Sequence, residues 1–306
     1  MFFYGVLGAL LPVLGCRSLA QDQAANWPIY QLKAEQQWRL NLPHGERFDA
    51  SGLLLAKNAD LLTLSDTGPT LYRILLPGAG EAVNLQPLTN CFTGLQLAHL
   101  APYNGHYDSE GIAQDDQGRL YICEEGNRWI LRCDPKLGRS EVLPIDWSPV
   151  KEFFSADRNA SFEGIAIGGG KIYVANERSE PVIAEVDLKT LKVTGHFVVF
   201  PRTPSLLGML HYSDLSWFGG KLYVLCRHHR VVLEVDPQTH QVLAEFNYRE
   251  LEDKLGYQTV YPTGAMEGLA VDRNYFWLVT DNNGMGRKDA PKDIRPTLVK
   301  CKRPGN

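Results

Sequence analysis

Acidic side chains recur at two equivalent places along this 306-residue chain. The first place is the acidic residue of a repeated Glu-Gly motif, or its equivalent in the weaker copies. It is occupied by Ser51, Glu110, Glu163, Asp214 and Glu267. The second place lies 13 to 15 residues further on, and its occupants are Asp66, Glu125, Glu177, Arg227 and Asp281. Carboxylate oxygens are the ligands that calcium and magnesium prefer in proteins. If the fold brings these positions together, they could bind a hard divalent cation.

The spacing of the motif indicates how the chain would bring them together. Successive copies from Ser51 to Glu267 lie 51 to 59 residues apart, a period that is typical of repeat proteins. Each copy is followed by short runs rich in Val, Ile, Leu and Tyr, separated by Gly, Pro, Asp and Asn, which indicates β-strands and turns. Four repeats contain four such strands and the last contains three. The pattern predicts an all-β fold.

We expect a five-bladed β-propeller of four-stranded blades, in which the first strand of each blade lines the central axis. An N-terminal strand at 37–42 would supply the missing strand of the last blade and close the ring, which removes open sheet edges. A six-bladed ring would need a repeat without the motif, and no segment is long enough to contain one. The predicted organisation is one propeller domain over residues 37–303, preceded by a linker over 21–36.

Blade geometry places both recurring positions on one face of the disc. Neighbouring strands of a blade run in opposite directions, so the start of the first strand and the end of the second lie at the same end of the channel. Repulsion among so many carboxylates calls for a cation, bound protons or the one arginine. The predicted ligands of calcium, or of magnesium in its place, are Glu110, Glu163, Asp214 and Glu267. In the alternative hypothesis, each acid accepts backbone N–H bonds from a neighbouring blade and no ion is needed.

The second recurring position supplies the predicted catalytic groups. A water activated by the cation would attack a substrate near Glu125 or Glu177. Arg227 or His228 would stabilise the developing charge or transfer protons. In the alternative interpretation, Arg227 forms a salt bridge into the acidic ring and His228 lies in a solvated turn. The other predicted contacts to a small anionic ligand are Asp66, Arg128, Arg178, Asp281 and Asn282.

The N-terminus has the features of an export signal. Residues 1–15 are apolar and uncharged, too few to span a membrane and placed where a signal peptide belongs. Cleavage after Ala20 would release a secreted protein, whereas the residues up to Cys16 resemble a bacterial lipobox. We therefore predict that residues 1–20 form a signal peptide or lipoprotein signal, and that the domain is secreted or lipid-anchored in the cell envelope. No other stretch approaches membrane-spanning length.

Composition and motifs exclude several other classes of function. A formal net charge of −4 offers no basic surface for nucleic acid. The sequence lacks a Gly-x-Ser-x-Gly elbow, a Walker loop and a His-Glu-x-x-His motif, so serine hydrolases, nucleotide hydrolases and zinc proteases have no support. No feature of the sequence indicates an oligomeric state.

Six cysteines are present, and none of them has the spacing of a thiolate zinc site. Cys123 and Cys133 flank one predicted hairpin and could form a disulfide in an oxidising compartment. In the alternative interpretation, Cys123 and Cys226, which lie at or near the ends of equivalent strands, serve as small buried hydrophobic residues.

The repeated motifs resemble those of two related propeller families, the SdiA-regulated proteins and the esterase-like phytase proteins. The similar segments begin at Asp108, Phe162, Ser213 and Met266, and each is followed by its second strand. This resemblance covers nearly the whole of the expected mature chain. Resemblance to the first family implies a five-bladed propeller that is exported or membrane-associated. Resemblance to the second implies calcium-assisted hydrolysis of phosphate monoesters.

Two classes of function follow from these observations. One is an exported, calcium-dependent hydrolase of phosphate esters or lactones. The other is a non-catalytic propeller whose rim binds an envelope component such as a peptide or a glycan, with a cation that is purely structural.

Overall fold

The computed structural model describes residues 26–42, 45–78, 80–178, 180–258 and 264–304. The predicted export signal, including Cys16, lies outside these residues. The fold is all-β, and its helices are short connections between strands. None of the described helices has the length and apolar character needed to cross a membrane.

The strands follow one another along the chain with few interruptions. They are Ile29–Gln31 (β1), Ala34–Asn41 (β2), Ala50–Leu55 (β3), Leu61–Ser65 (β4), Gly68–Leu75 (β5), Ala82–Pro87 (β6), Ser109–Gln114 (β7), Leu120–Glu124 (β8), Trp129–Asp134 (β9), Arg139–Val142 (β10), Phe162–Gly168 (β11), Lys171–Asn176 (β12), Val182–Asp187 (β13), Val193–Phe197 (β14), Tyr212–Phe218 (β15), Lys221–Cys226 (β16), Val231–Val235 (β17), Val242–Asn247 (β18), Met266–Val271 (β19), Tyr275–Thr280 (β20) and Thr297–Lys302 (β21). The α-helices are Gly94–Leu97 (α1) and Arg249–Leu255 (α2), and single 3-10 turns lie at Tyr103–Gly105, Ser148–Phe153 and Arg227–His229.

Each repeat folds into an antiparallel sheet whose strands keep their order in the chain. Three of these sheets are β7 to β10, β11 to β14, and β15 to β18 with β1 at its edge. The first repeat, β3 to β6, and the last, β19 to β21, belong to one eight-stranded sheet. They are joined through β2, which pairs antiparallel with β21 and parallel with β6. An N-terminal strand therefore completes the last repeat, and it begins at Ala34 rather than at residue 37.

The predicted linker over 21–36 is shorter in the structure because β1 and the start of β2 lie within it. β1 pairs parallel with β18, and Tyr30 stacks on Phe246 with their ring centroids 5.4 Å apart. A strand of three residues has no periodic pattern that sequence reasoning could detect.

The first strands of the repeats pack against one another around a common axis. β3, β7, β11, β15 and β19 contact each other in this order, and β19 contacts β3. The glycines of the motif allow this approach. A Cβ atom on Gly164 would lie 2.7 Å from Cα of Asp214, and one on Gly111 would lie 2.7 Å from the backbone nitrogen of Ile165. Both distances are shorter than any side chain tolerates, so these positions require glycine.

The hydrophobic core lies between neighbouring sheets. Tyr121, Tyr173 and Tyr223 occupy the same place in successive second strands and are almost fully buried. The Tyr173 ring stacks on Trp217 of the following repeat at a centroid distance of 5.7 Å. A stacked aromatic pair of this kind contributes to the packing of one sheet against the next.

The disulfide joins Cys91 to Cys133, with their Cα atoms 5.7 Å apart. The predicted pairing of Cys123 with Cys133 is wrong, because Cys133 lies opposite Leu120 while Cys123 lies opposite Ile130 in the pairing of β8 with β9. Cys123 is buried and reduced, as the alternative interpretation expects.

Replacement of Gly164 by alanine tests the close approach of the central strands. The added methyl group would meet the backbone of Asp214 and Leu215, which cannot move without disturbing the ring. We expect the free energy of unfolding, measured by urea titration, to fall by about 1–3 kcal/mol. Gly78→Ala is the control, because its Cβ would meet nothing within 4 Å. Equal effects of the two substitutions would contradict the requirement for glycine at residue 164.

Candidate functional site

The acidic positions of the first strands coincide with breaks in strand register. The pairing of β11 with β12 skips Glu163, and the pairing of β19 with β20 skips Glu267. Similar shifts occur in the first, second and fourth repeats. A bulge of this kind changes the direction of a side chain. The repeated bulge therefore explains how these acids are presented at one end of the channel.

Five carboxylates from the second and third repeats converge at this end. Asp108, Glu110 and Glu125 form one group, and Glu125, Glu163 and Glu177 form another, with candidate ligand oxygens that all lie within 4.8 Å of one another in each group. Glu125 belongs to both groups. We call these five residues the carboxylate cluster. It unites two predicted metal ligands, Glu110 and Glu163, with two predicted catalytic groups, Glu125 and Glu177.

The pKa values of three carboxyl groups in the carboxylate cluster are raised. Loss of hydration, followed by repulsion from neighbouring carboxylates, raises the pKa of Glu110 and of Glu163 well above the ordinary range. Burial is also the main cause that raises the pKa of Glu125 to about 8. Asp108 is hydrogen-bonded to both Glu110 and Glu125. These shifts mean that the acids must retain protons or bind a cation at neutral pH.

Glu177 offers an oxygen that a cation could use. Its Oε1 atom accepts from Arg178 and lies 2.8 Å from Nε2 of His211. Its Oε2 atom is buried and has no hydrogen-bond partner among the described residues. An unsatisfied buried carboxylate oxygen is costly unless something positive approaches it. The all-oxygen donor set of the carboxylate cluster suits calcium or magnesium.

Asp214 stands one residue out of register with the glutamates, because the pairing of β15 with β16 skips Ser213 and Asp214 takes the place that the motif glycine has in the other repeats. Its side chain is fully buried and accepts from the backbone nitrogens of Leu215 at 2.8 Å, Leu269 at 2.7 Å and Leu53 at 3.4 Å. These donors lie on three neighbouring strands, β15, β19 and β3. Asp214 therefore follows the alternative hypothesis, in which the acid holds the ring together through backbone N–H groups.

Arg227 supplies the positive charge on the opposite side of the channel. Its guanidinium forms a buried ion pair with Glu267, and its Nε atom donates to the carbonyl oxygen of Gly264 at 3.0 Å. Burial raises the pKa of Glu267 to about 7, an effect that Arg227 opposes. The structure thus gives Arg227 the salt bridge of the alternative interpretation. Glu267 therefore has a buried counter-charge in Arg227, whereas in the second and third repeats Arg178 pairs with Glu177 alone among the cluster's carboxylates.

His228 lies behind the cluster rather than in a solvated turn. Its Nε2 atom is 2.8 Å from Nδ1 of His211, whose other ring nitrogen faces Glu177. Burial lowers the pKa of His228 to about 4 and that of His211 well below its ordinary value. His211 stands where the other repeats have Asp49, Asp108, Ser161 and Ala265, since the backbone oxygen at this place accepts from the second recurring position in every repeat. The sequence pattern missed it because the fourth repeat was aligned one residue out of register.

A pocket of about 660 Å³ opens beside the carboxylate cluster. Asp108 belongs to both, so the pocket gives access to the cluster. The walls combine acidic, aromatic and amide side chains with one guanidinium. The lining residues are Asp66, Thr67, Tyr103, Asn104, His106, Tyr107, Asp108, Gly126, Ala156, Asp157, Arg158 and Asn159.

Comparison with known proteins identifies the family of this chain. The family model named Phytase-like, described as esterase-like activity of phytase, matches residues 49–284. The chain belongs to the phytase-like family. No curated protein matches its sequence.

Solved structures similar to this phytase-like chain are β-propeller-like proteins, which confirms the predicted propeller architecture. The glutaminyl cyclase of Myxococcus xanthus is 14% identical, with a TM-score of 0.59 over 91% of this chain and 100% of that chain. The PQQ-bound aldose sugar dehydrogenase of Streptomyces coelicolor is 11% identical, with a TM-score of 0.48 over 89% of this chain and 97% of that chain.

The arginines near the pocket fasten one of its walls. Arg128 donates to the carbonyl oxygen of Ser155 at 2.7 Å, and Arg178 donates to that of Asn159 as well as to Glu177. Arg158, which belongs to the loop itself, donates to the carbonyl oxygen of Gly126 at 2.5 Å. Arg128 and Arg178, which were predicted to contact a ligand, thus hold the loop over 154–160 in place in this phytase-like chain.

The remaining predicted ligand contacts lie in different surroundings. Asp66 lines the pocket, and burial together with Asp49, Asp281 and Asp108 raises its pKa to about 7. Asp281 lies outside the pocket walls, where burial raises its pKa. Asn282 donates to the carbonyl oxygens of Met285 and Ile294, so it holds the loop before β21.

Two further acids were missed by sequence reasoning. Asp49 and Asp108 both stand two residues before the first recurring position, and a comparison of the repeats at this place could have found them.

The pH dependence of stability tests the electrostatics of the carboxylate cluster. Between the ordinary glutamate pKa of 4.5 and a value of about 8 for Glu125, the folded protein binds a proton that the unfolded chain does not. The free energy of unfolding of metal-free protein should therefore fall as pH rises through this window. Calcium competes with these protons, so millimolar calcium should raise the melting temperature more at pH 8 than at pH 5.

The control is Glu125→Gln, in which both the pH dependence and the response to calcium should weaken. A melting temperature that calcium leaves unchanged at both pH values would contradict a cation site.

Proposed function

We propose that this protein is an exported, divalent-cation-dependent hydrolase that cleaves an ester, either a phosphate ester or a lactone. The observation that carries the proposal is a buried carboxylate cluster that opens through Asp108 into a pocket large enough for a small molecule. Perturbed acids beside a pocket are typical of catalytic sites. Membership of a family described by esterase-like activity supports the same class of reaction.

The proposed architecture is a five-bladed propeller. Its blades would be β3 to β6, β7 to β10, β11 to β14, β15 to β18, and β19 to β21 completed by β2. The order of contacts among the first strands supports this count. In this arrangement β2 closes the ring between the last blade and the first.

Glu125, Glu163 and Glu177 would hold the cation, with Glu110 and Asp108 beside them. A bound calcium or magnesium ion polarises the group under attack and lowers the pKa of water. The protein supplies the orientation of the ligands. Arg178 and His211 fix one oxygen of Glu177, and the backbone nitrogen of Ser161 donates to Oε1 of Glu125 at 2.8 Å.

Glu125 is the proposed proton acceptor during hydrolysis. Without an ion, burial raises the pKa of Glu125 to about 8, and a bound cation would lower it again, so that the carboxylate is free of its proton and can act as a general base near neutral pH. Arg227 and His228, the other predicted catalytic groups, would act from a distance, since Arg227 neutralises Glu267 and His228 supports His211.

Export is part of the proposal. The disulfide between Cys91 and Cys133 supports it, because disulfides persist in oxidising compartments outside the cytosol. The apolar residues 1–15 support either a secreted or a lipid-anchored form in the cell envelope.

Substitution of the cluster carboxylates tests the proposed reaction. With calcium present, Glu125→Gln and Glu177→Gln should each lower kcat for ester substrates by roughly 100-fold or more, because the first removes the proposed general base and the second removes a proposed ligand of the cation. Exposed Glu152→Gln is the matched control and should retain full activity. Retained activity in both cluster variants would refute the assignment. Calcium binding without turnover of any phosphate ester or lactone would favour a propeller that only binds an envelope partner.

A further inference from the structure

The charges around the pocket distinguish between the two ester classes. Asp66, Asp108 and Asp157 line it, and Arg158 and His106 are the basic side chains among its lining residues. Arg158 already donates to the carbonyl oxygen of Gly126, and its guanidinium lies over the ring of Tyr103 at 4.4 Å. The pocket therefore presents acidic groups to a ligand, and its guanidinium already has partners in the protein.

The arginines behind the pocket are engaged in the same way. Arg178 is paired with Glu177, Arg227 with Glu267, and Arg128 with the backbone of the loop over 154–160. A phosphate monoester carries nearly two negative charges at neutral pH, and proteins usually recognise it through free guanidinium groups or lysines. Among the described residues near the carboxylate cluster, each of these guanidinium groups has a partner.

A bound divalent cation would be enclosed by the carboxylates that hold it. Glu125, Glu163 and Glu177 would place three negative charges around the two of the ion. The walls that a ligand meets first carry Asp108 and Asp157 beside the guanidinium of Arg158, which already has partners. These acidic walls repel a dianionic substrate and do not repel an uncharged one.

The neutral lining residues fit an uncharged substrate. Tyr103 and Tyr107 offer aromatic surface, and Thr67, Asn104 and Asn159 offer hydrogen-bonding groups. Aromatic surface with hydrogen-bonding groups beside it can hold and orient a small organic molecule.

We propose that the substrate is an uncharged carboxylic ester, open-chain or a lactone, and that Asp66 and Asp157 exclude phosphate monoesters. This inference rests on the proposed hydrolase function. In the reaction, the oxygen of one water forms a bond to the acyl carbon, and the bond from that carbon to the alkoxy oxygen breaks. One proton of the water passes to the alkoxy oxygen, and the other is lost from the new carboxylic acid. The product carboxylate is then repelled by the same acidic walls, which favours its release.

Two substrates with the same leaving group test the proposal. The protein, with calcium, is assayed on p-nitrophenyl butyrate and on p-nitrophenyl phosphate, and Glu177→Gln gives the background rate for each. We expect kcat/KM above background for the butyrate to exceed that for the phosphate by at least about 100-fold. Turnover of the phosphate alone, or at an equal rate, overturns the substrate class but leaves the hydrolase function standing. Turnover of neither ester or of a neutral lactone overturns the hydrolase function as well.

A charge reversal in the wall tests the exclusion directly. Asp157→Lys should strengthen competitive inhibition of butyrate hydrolysis by inorganic phosphate by about fivefold or more, measured as the inhibition constant relative to that of the wild type. Asp289→Lys makes the same change of net charge at an exposed aspartate outside the pocket and should leave inhibition unchanged. Equal inhibition of wild type and Asp157→Lys would contradict a role for the wall charge.

Discussion

Repulsion among buried carboxylates is the constraint on which the rest of the structure depends. Glu110, Glu125 and Glu163 lie close together in the channel, where the loss of hydration raises their pKa values. Such a group persists in a folded protein only if protons or a cation offset its charge. The negative charge is compensated in two different ways on the two sides of the channel. Arg227 neutralises Glu267 on one side, and the carboxylate cluster on the other side has room for an ion.

The fold holds these charges in place through repeated backbone features. Bulges turn the glutamates toward the channel, and in four of the five repeats a glycine lets neighbouring first strands approach closely. Asp214 ties three of these strands together through their N–H groups. Rigid positioning of this kind keeps the carboxylates from moving apart, which is what a preformed cation site requires. Arg178 contacts both Glu177 and the loop over 154–160, so it links the carboxylate cluster to the pocket wall.

Much of this arrangement could be predicted from the repeats. The period of the Glu-Gly motif predicted the first strands, the all-β fold and the convergence of Glu110 and Glu163. The role of Asp214 was missed because the sequence pattern aligned it with the glutamates, whereas in the sheet it stands at the place of the motif glycine. His211 stands where the other repeats have aspartate, serine or alanine, so no shared residue type marked its place. The strand β1 is too short to show a pattern. The disulfide of Cys91 joins segments that the strand pattern alone does not bring together.

The position of a bound cation is the most direct test of the account. Crystals grown with calcium, or soaked with manganese in its place, would locate the ion by anomalous diffraction. We expect an anomalous peak within about 2.6 Å of carboxylate oxygens from Glu125, Glu163 and Glu177. We expect no ion between Arg227 and Glu267. A cluster without any ion at millimolar calcium, or an ion bound only at another place, would contradict the central claim that these buried carboxylates form a cation site.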